Sequence, residues 1–348
     1  MRINRLQKEL KRRNISCAIL SGFSEDPNLE YLLGFQADNA FLFIPKKGNP
    51  RLIAPKMEEP YLKQKTGLEI VQMAPPVGKQ IAKLVGQRKT IGINKNEMIV
   101  KEFEAIKKRM KNKTYEDISS ALAEIRSVKD QEEVKKLTKA CKIADTILKE
   151  ALNGLDKFSY ESEVKKYMIK RATDFGCDVS FDPLVASGKN SSYVHYEDCN
   201  KKITNGFFYI DFGVDYQGYK SDITRTIYLG KPSKKEKEMY NNLLAIQKKT
   251  IKMAMPGIEC AKLDKFVREK LGELSENFTH SLGHGVGIEV HEHPIISSKA
   301  KDVLKEGMTL TIEPGIYFPG KFGIRIEDTM LITKHGPKVL TKTPKNYI

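Results

Sequence analysis

The stretch YIDFGVDYQGYKSDITRTIYLG, residues 209–230, constrains the fold more than any other part of the chain. Strand formers flank a turn-prone centre, which predicts a β-hairpin. Yet Asp211 and Asp222 stand among residues that a sheet buries. A turn on Tyr216-Gln217 sets Asp211 directly opposite Asp222. Opposed residues share one face, with Cβ atoms about 4.5–5.5 Å apart. A second stretch, TIEPGIYFPGKFGIRIEDT (311–329), repeats the pattern. A turn on Pro319-Gly320-Lys321 sets Glu313 opposite Glu327. Four clustered carboxylates repel one another, and without cations they take up protons or destabilise the fold. Two divalent metals resolve the conflict.

The segment HSLGHGVGIEVHEHP (280–294) offers the remaining ligand, His284, between Gly283 and Gly285. Glycines there let backbone approach a crowded site closely. One imidazole with four carboxylates suits manganese, cobalt, iron or zinc, and is too rich in oxygen for a structural zinc site. A lone carboxylate in a strand ordinarily faces solvent. Two pairs at recurring positions, with a glycine-flanked histidine between them in sequence, outweigh that reading. His280 and His335 are expected as surface or packing residues. His291 and His293 are open between packing and function.

The flanking pattern is an internal recurrence. Val134, Leu137, Cys141, Ala144, Leu148 and Ala151 predict a long amphipathic helix, and a second helix runs from about Tyr160 to Phe175, stopped by Gly176. After the first hairpin, helices begin again near Lys234 and Ala261, and strands return at Thr309–Ile312 and Ile324–Leu331. Asp211 and Glu313 lie 102 residues apart, and Asp222 and Glu327 lie 105 apart. Each half therefore reads as two helices followed by a hairpin. Before this region, residues 1 to about 120 alternate helix and strand signals. Strands are expected at Cys17–Leu20, Ala40–Ile44, Arg51–Ala54 and Thr90–Ile93, with a hairpin turn at 46–50 and a helix over Lys101–Lys113. The fold class is mixed α/β (α+β): an N-terminal α/β domain over 1–120 and a pseudo-two-fold domain over 121–348.

Composition removes several function classes. No apolar run approaches the roughly 18 residues of a membrane span. The basic start, MRINRLQKELKRRN, is interrupted by Glu9 and followed by no apolar signal core. Ile3, Leu6 and Leu10 fit an amphipathic helix instead. The net charge of +16 comes mostly from lysines dispersed along helices. The densest run, Lys107–Lys113, is expected to end a helix, where cations favour the dipole. No zinc-finger, RNP or basic-zipper pattern appears, so no specific nucleic-acid partner is expected. Cysteines 17, 141, 177, 199 and 260 show no paired spacing, which points to ordinary thiols in a reducing, cytoplasmic setting.

Asp211, Asp222, His284, Glu313 and Glu327 stand in the contexts DFG, SDITRT, GHGVG, EPGIY and RIED. Together they resemble the five-ligand dinuclear site of the metallopeptidases with the pita-bread fold. That family holds methionine aminopeptidases, aminopeptidase P, prolidase and the metal-free creatinases. The resemblance covers essentially the whole chain, including an N-terminal domain of the creatinase/prolidase kind. It implies that Asp211 binds one metal, Asp222 and Glu327 bridge two, and His284 and Glu313 bind the second. It also implies a water activated between the metals, with Glu313 handling its proton. His195, in SSYVHYED, matches a family histidine near the scissile carbonyl. His291 matches another that donates to the carbonyl oxygen or the oxyanion, and Arg325 matches an arginine that orients acidic ligands or substrate.

Two positions depart from the family pattern. Ile295 stands where prolidases commonly carry an arginine that binds a dipeptide's C-terminal carboxylate, and Val194 replaces a frequent proline. Loss of the arginine removes a charge-assisted clamp, which favours longer peptides or calls on another cation such as His293 or a nearby lysine. The resemblance thus implies a cytoplasmic, homodimeric metallo-exopeptidase that uses two manganese or cobalt ions, with zinc or iron as alternatives. It releases the residue ahead of proline from dipeptides or short peptides. Methionine aminopeptidase is the alternative enzyme, disfavoured by the N-terminal domain. A silent scaffold or nucleic-acid-binding relative is disfavoured by the complete ligand set. In the prolidase kind, the loop at 34–39 (GFQADN) is expected to reach a partner's active site.

Overall fold

The computed structural model describes residues 2–23, 26–197 and 200–345, which divide into two compact units, Met1–Arg126 and Ser127–Ile348. In the first, Cys17–Ser21 is buried at every position. It pairs antiparallel with Phe41–Pro45 and parallel with Thr90–Ile93, at the middle of a six-stranded sheet. A strand whose side chains are all apolar or small belongs there, because both of its faces are covered. Helix Arg2–Arg12 buries Leu6 and Leu10, the stripe its spacing predicts. The turn at 46–50 joins Phe41–Pro45 to Arg51–Ala54. The basic run only begins on a helix, because that helix spans Val100–Arg109 and not the expected 101–113. Met110 leaves the helical conformation and buries its side chain, so Lys111 and Lys113 lie beyond it.

The second unit carries the recurrence. Helices Gln131–Asn153 and Glu161–Asp174 precede the strands Leu184–Ser187, Gly206–Phe212 and Ile223–Leu229. Helices Lys234–Met253 and Cys260–Leu271 precede a five-stranded sheet and the ribbon Gly315–Phe318/Phe322–Arg325. Both leading helices start with a capping box, Asp130 with Glu133 and Ser233 with Glu236, which satisfies two otherwise orphaned backbone donors. Each half has its own core. Phe208, Ile210 and Phe212 pack with Ala140, Ile147 and Met168, whereas Leu243, Leu263 and Ile251 pack with Leu310, Ile312 and Met330. Side chains alternate along a strand. Since Phe208, Ile210 and Phe212 face the helices, Tyr209 and Asp211 must face the other way. That is why a sheet tolerates Asp211.

The register of the first hairpin differs from expectation. The turn falls on Gln217-Gly218, at φ 54° and 79°, and Tyr216 faces Tyr219. Positive φ at both central positions is the hairpin turn whose twist matches its strands, and glycine at the second position allows it. Asp211 therefore faces Thr224 and not Asp222. Asp222 sits two residues before Thr224, just outside the ladder. The second hairpin keeps its expected count, since Phe318 faces Phe322, Gly315 faces Arg325 and Ile312 faces Asp328. However, the single strand expected over Ile324–Leu331 is two strands, Phe322–Arg325 and Asp328–Thr333. At the break the Glu327 amide donates to Thr224 O of the first hairpin at 3.2 Å. The chain leaves its own ribbon there to join the other half.

Candidate metal centre

That junction brings the carboxylates together. Ligand atoms of Asp222, His284 and Glu327 lie within 4.8 Å of one another. His284 Nε2 lies 3.2 Å from Glu313 Oε1 and 3.7 Å from Asp222 Oδ2. Its Nδ1 faces Gly285 O at 3.1 Å. A carbonyl only accepts, so Nδ1 carries the proton that fixes the ring, and Nε2 points at the carboxylates. The flanking glycines are steric necessities. A Cβ on Gly283 would stand 2.2 Å from Thr311 O, and one on Gly285 would stand 2.3 Å from His293 O.

Asp211 reaches the cluster through Arg325, which is buried and donates from Nη2 to Asp211 Oδ2. Arg325 also donates to Tyr317 Oη at 2.8 Å, Thr224 Oγ1 at 3.2 Å and Val194 O at 3.1 Å. Three buried oxygens, Asp211 Oδ1, Asp222 Oδ1 and Glu327 Oε1, have no hydrogen-bond partner among the described residues. Leaving buried acceptors unpaired costs about 1–3 kcal/mol each, and more when they are charged. Unpaired carboxylate oxygens gathered around an imidazole fit divalent cations.

The electrostatics of the cluster points the same way. Burial pushes the Asp222 carboxyl well up, and Glu327, Asp211 and Glu313 push it further. Glu327 moves the same way, through burial and then through Glu313 and Asp211. Burial opposes the His284 charge, but its hydrogen bond to Glu313 overcomes this and moves its pKa up. Burial likewise opposes the Glu313 charge, and His284 holds that carboxyl down. A carboxyl with a raised folded pKa stabilises the fold below its unfolded value, about 4. That contribution is lost as pH rises through the raised value. Metal-stripped protein is therefore expected to melt lower at about pH 8 than at about pH 5.5, and Asp222→Asn to flatten the difference. Thermal melts in chelator check this, and an unchanged slope in the variant contradicts it.

A cavity of about 990 Å³ opens over the cluster. His195 and His291 line it, as expected, and the His291 ring meets His284 edge-on at 4.4 Å. Burial and the His284 charge lower the His291 pKa, favouring the neutral imidazole. His280 also lines the cavity, with Nε2 3.3 Å from Tyr317 Oη. It was expected as a packing or surface residue. Its place four residues before His284, and that of Tyr317 four after Glu313, are the only sequence signals for this pair. Ile295 is 55% exposed on the cavity wall. His293 turns its Nε2 to Asp302 at 3.2 Å. Among the described residues the lining holds no lysine, and its one arginine is Arg325.

Residues 135–334 match the model of metallopeptidase family M24, and residues 2–128 match the creatinase/prolidase N-terminal domain. The chain belongs to metallopeptidase family M24. It is 36% identical to the Xaa-Pro dipeptidase of Pyrococcus horikoshii over 98% of this chain and 97% of that one. Among solved structures, the Xaa-Pro dipeptidase of Bacillus anthracis superposes with a TM-score of 0.92 at 33% identity, covering 100% and 98% of the two chains. The X-Pro aminopeptidase of Thermotoga maritima gives a TM-score of 0.88 at 30% identity, covering 96% and 97%. No described helix of this M24 chain is long and apolar enough to cross a membrane. Cys17, Cys141, Cys177 and Cys260 are free and buried, and Cys199 lies outside the described residues.

Proposed function

We propose that this M24 chain is an exopeptidase that uses two divalent metal ions, manganese or cobalt first, to cleave the bond between an N-terminal residue and proline. The observation that carries the reading is the set of buried, unpartnered carboxylate oxygens beside His284 at the floor of the cavity. Asp211, Asp222, Glu327, His284 and Glu313 would hold the ions. Metal bound there would lower the pKa of water toward about 7 and polarise the substrate carbonyl. Glu313 takes the proton of the attacking water. His291 donates to the carbonyl oxygen as it becomes an oxyanion. His195 holds the substrate near the scissile carbonyl, and Arg325 fixes Asp211. Proline presents no N–H and a fixed φ, so a site relying on neither an extended strand nor an amide donor is needed to bind it. The reading places the catalytic machinery in 121–348. It includes a cytoplasmic homodimer, supported by the resemblance to Xaa-Pro peptidases and tested by light scattering.

Ile295 sets the finer preference. With an alkyl side chain there and His293 turned to Asp302, the wall offers a free C-terminal carboxylate little positive charge. The expected order with manganese present is Leu-Pro-Ala above Leu-Pro, with Leu-Ala not cleaved. Ile295→Arg shifts the preference toward Leu-Pro by about tenfold or more, because hydrogen bonds to a charged group contribute about 1.5–3 kcal/mol. Product analysis by chromatography reads all three substrates. Cleavage of Leu-Ala as fast as Leu-Pro, or of methionyl peptides alone, contradicts the Xaa-Pro reading.

A further inference from the structure

The loop that carries His195 has almost no regular structure of its own. It leaves the strand Leu184–Ser187, makes the short turn Gly188–Ser192 and runs on through Tyr196. Yet it is tied down along its length. Ser191 Oγ accepts from the Gly323 amide at 2.9 Å, and Ser192 Oγ accepts from the Gly320 amide at 3.2 Å. Tyr209 Oη donates to Tyr193 O at 2.8 Å, and Arg325 donates to Val194 O. The tip of the second hairpin, Tyr209 and Arg325 thus grip the loop from one side.

The root of the loop is held from the other side by Glu161, the first residue of helix Glu161–Asp174, which is 0% exposed. Its Oε1 accepts from the Ser187 amide at 2.6 Å, from Ser187 Oγ at 2.7 Å and from Asn190 Nδ2 at 3.1 Å. Its Oε2 accepts from Asn190 Nδ2, also at 3.1 Å. Every one of these partners is a donor, and an ionised carboxylate is a pure acceptor. Burial pushes the Glu161 pKa up, while Ser187 and Asn190 favour its charge. None of these donors is a lysine or arginine, and the helix N-terminus supplies partial positive charge. A buried carboxylate is a costly way to fill space unless its contacts offset the burial. The donors it gathers, Ser187 and Asn190, bracket the turn at which the loop changes direction.

We infer that Glu161 is a positioning residue for His195: by gathering Ser187 and Asn190 it sets the angle at which the His195 loop leaves the sheet. The inference rests on the proposed role of His195. Glu161→Gln keeps the shape but turns an amide group toward donors. It is expected to lower kcat for Leu-Pro-Ala by about 10- to 100-fold, the scale of a displacement near 1 Å at a catalytic group. KM and the content of bound manganese stay near those of the parent. Glu161→Asp, which keeps the charge, recovers part of the loss. On a His195→Ala background, Glu161→Gln adds no further loss, and the His195 ring resonance of metal-free protein shifts in Glu161→Gln. Should Glu161→Gln fail to fold, Asn190→Ala carries the same expectation at smaller size. Loss of equal size on both backgrounds overturns the inference, as does a Glu161→Gln protein within twofold of the parent. A His195→Ala protein with unchanged kcat fails the role of His195 itself, and the inference with it.

Discussion

Glu327→Gln is expected to lose at least about 100-fold in Xaa-Pro hydrolysis while making the metal-free protein more stable. Glu327 is 1% exposed. Its Oε2 accepts from Thr224 Oγ1 at 2.7 Å, and its Oε1 has no hydrogen-bond partner among the described residues. Glutamine preserves the shape and can keep the Thr224 contact through its carbonyl. Its amide, however, brings a donor to the place where cations belong. Loss of a residue that merely supports a ligand costs about 10–100-fold in metal affinity or activity, and loss of a residue that would itself hold the metal should cost more. The stability change has the opposite sign, because the neutral side chain removes repulsion from Glu313 and Asp211. Activity falls and the melting temperature in chelator rises. A variant that loses activity and metal-free stability together would mark Glu327 as a structural residue.

Lys129→Met is expected to destabilise the second unit by about 3–5 kcal/mol, the cost of removing one partner from a buried ion pair. Lys129 Nζ donates to Glu292 Oε1, and their side chains are 1% and 5% exposed. Lys129 also reaches Ser127 O at 3.3 Å. Glu292 lies between His291 and His293, so its charge would stay in the cavity wall without its lysine. Replacing both partners by apolar residues of similar volume removes that imbalance. Lys129→Met with Glu292→Leu should therefore recover most of the stability lost. Denaturant unfolding of the single and double variants measures this. A single variant within about 1 kcal/mol of the parent would place the pair with weak surface pairs.

The carboxylates were legible because a period of two is a strong signal. Phe208, Ile210 and Phe212 commit one face to the helices, so Asp211 had to look elsewhere. The recurrence of helices and hairpins was legible because amphipathic spacing, as at Val134, Leu137, Cys141 and Ala144, is a local signal. The first register lies two residues from the one its sequence suggests, because Gly218 asks for a turn one step later than Tyr216-Gln217. The break at Ile326-Glu327 had no local signal. It follows from a hydrogen bond to Thr224, more than a hundred residues away. His280 and Tyr317, the Lys129–Glu292 pair and the Glu161 contacts were hidden likewise, since each joins elements that only the fold brings together.

The four carboxylates and His284 are proposed as a two-metal hydrolytic centre. The most direct test titrates manganese into metal-stripped protein and follows bound metal and Leu-Pro-Ala hydrolysis together. Two equivalents bound per chain, hydrolysis that rises as they bind, and loss of both in Glu327→Gln are expected. Hydrolysis that persists in chelator, or binding that Glu327→Gln leaves intact, would contradict the proposal.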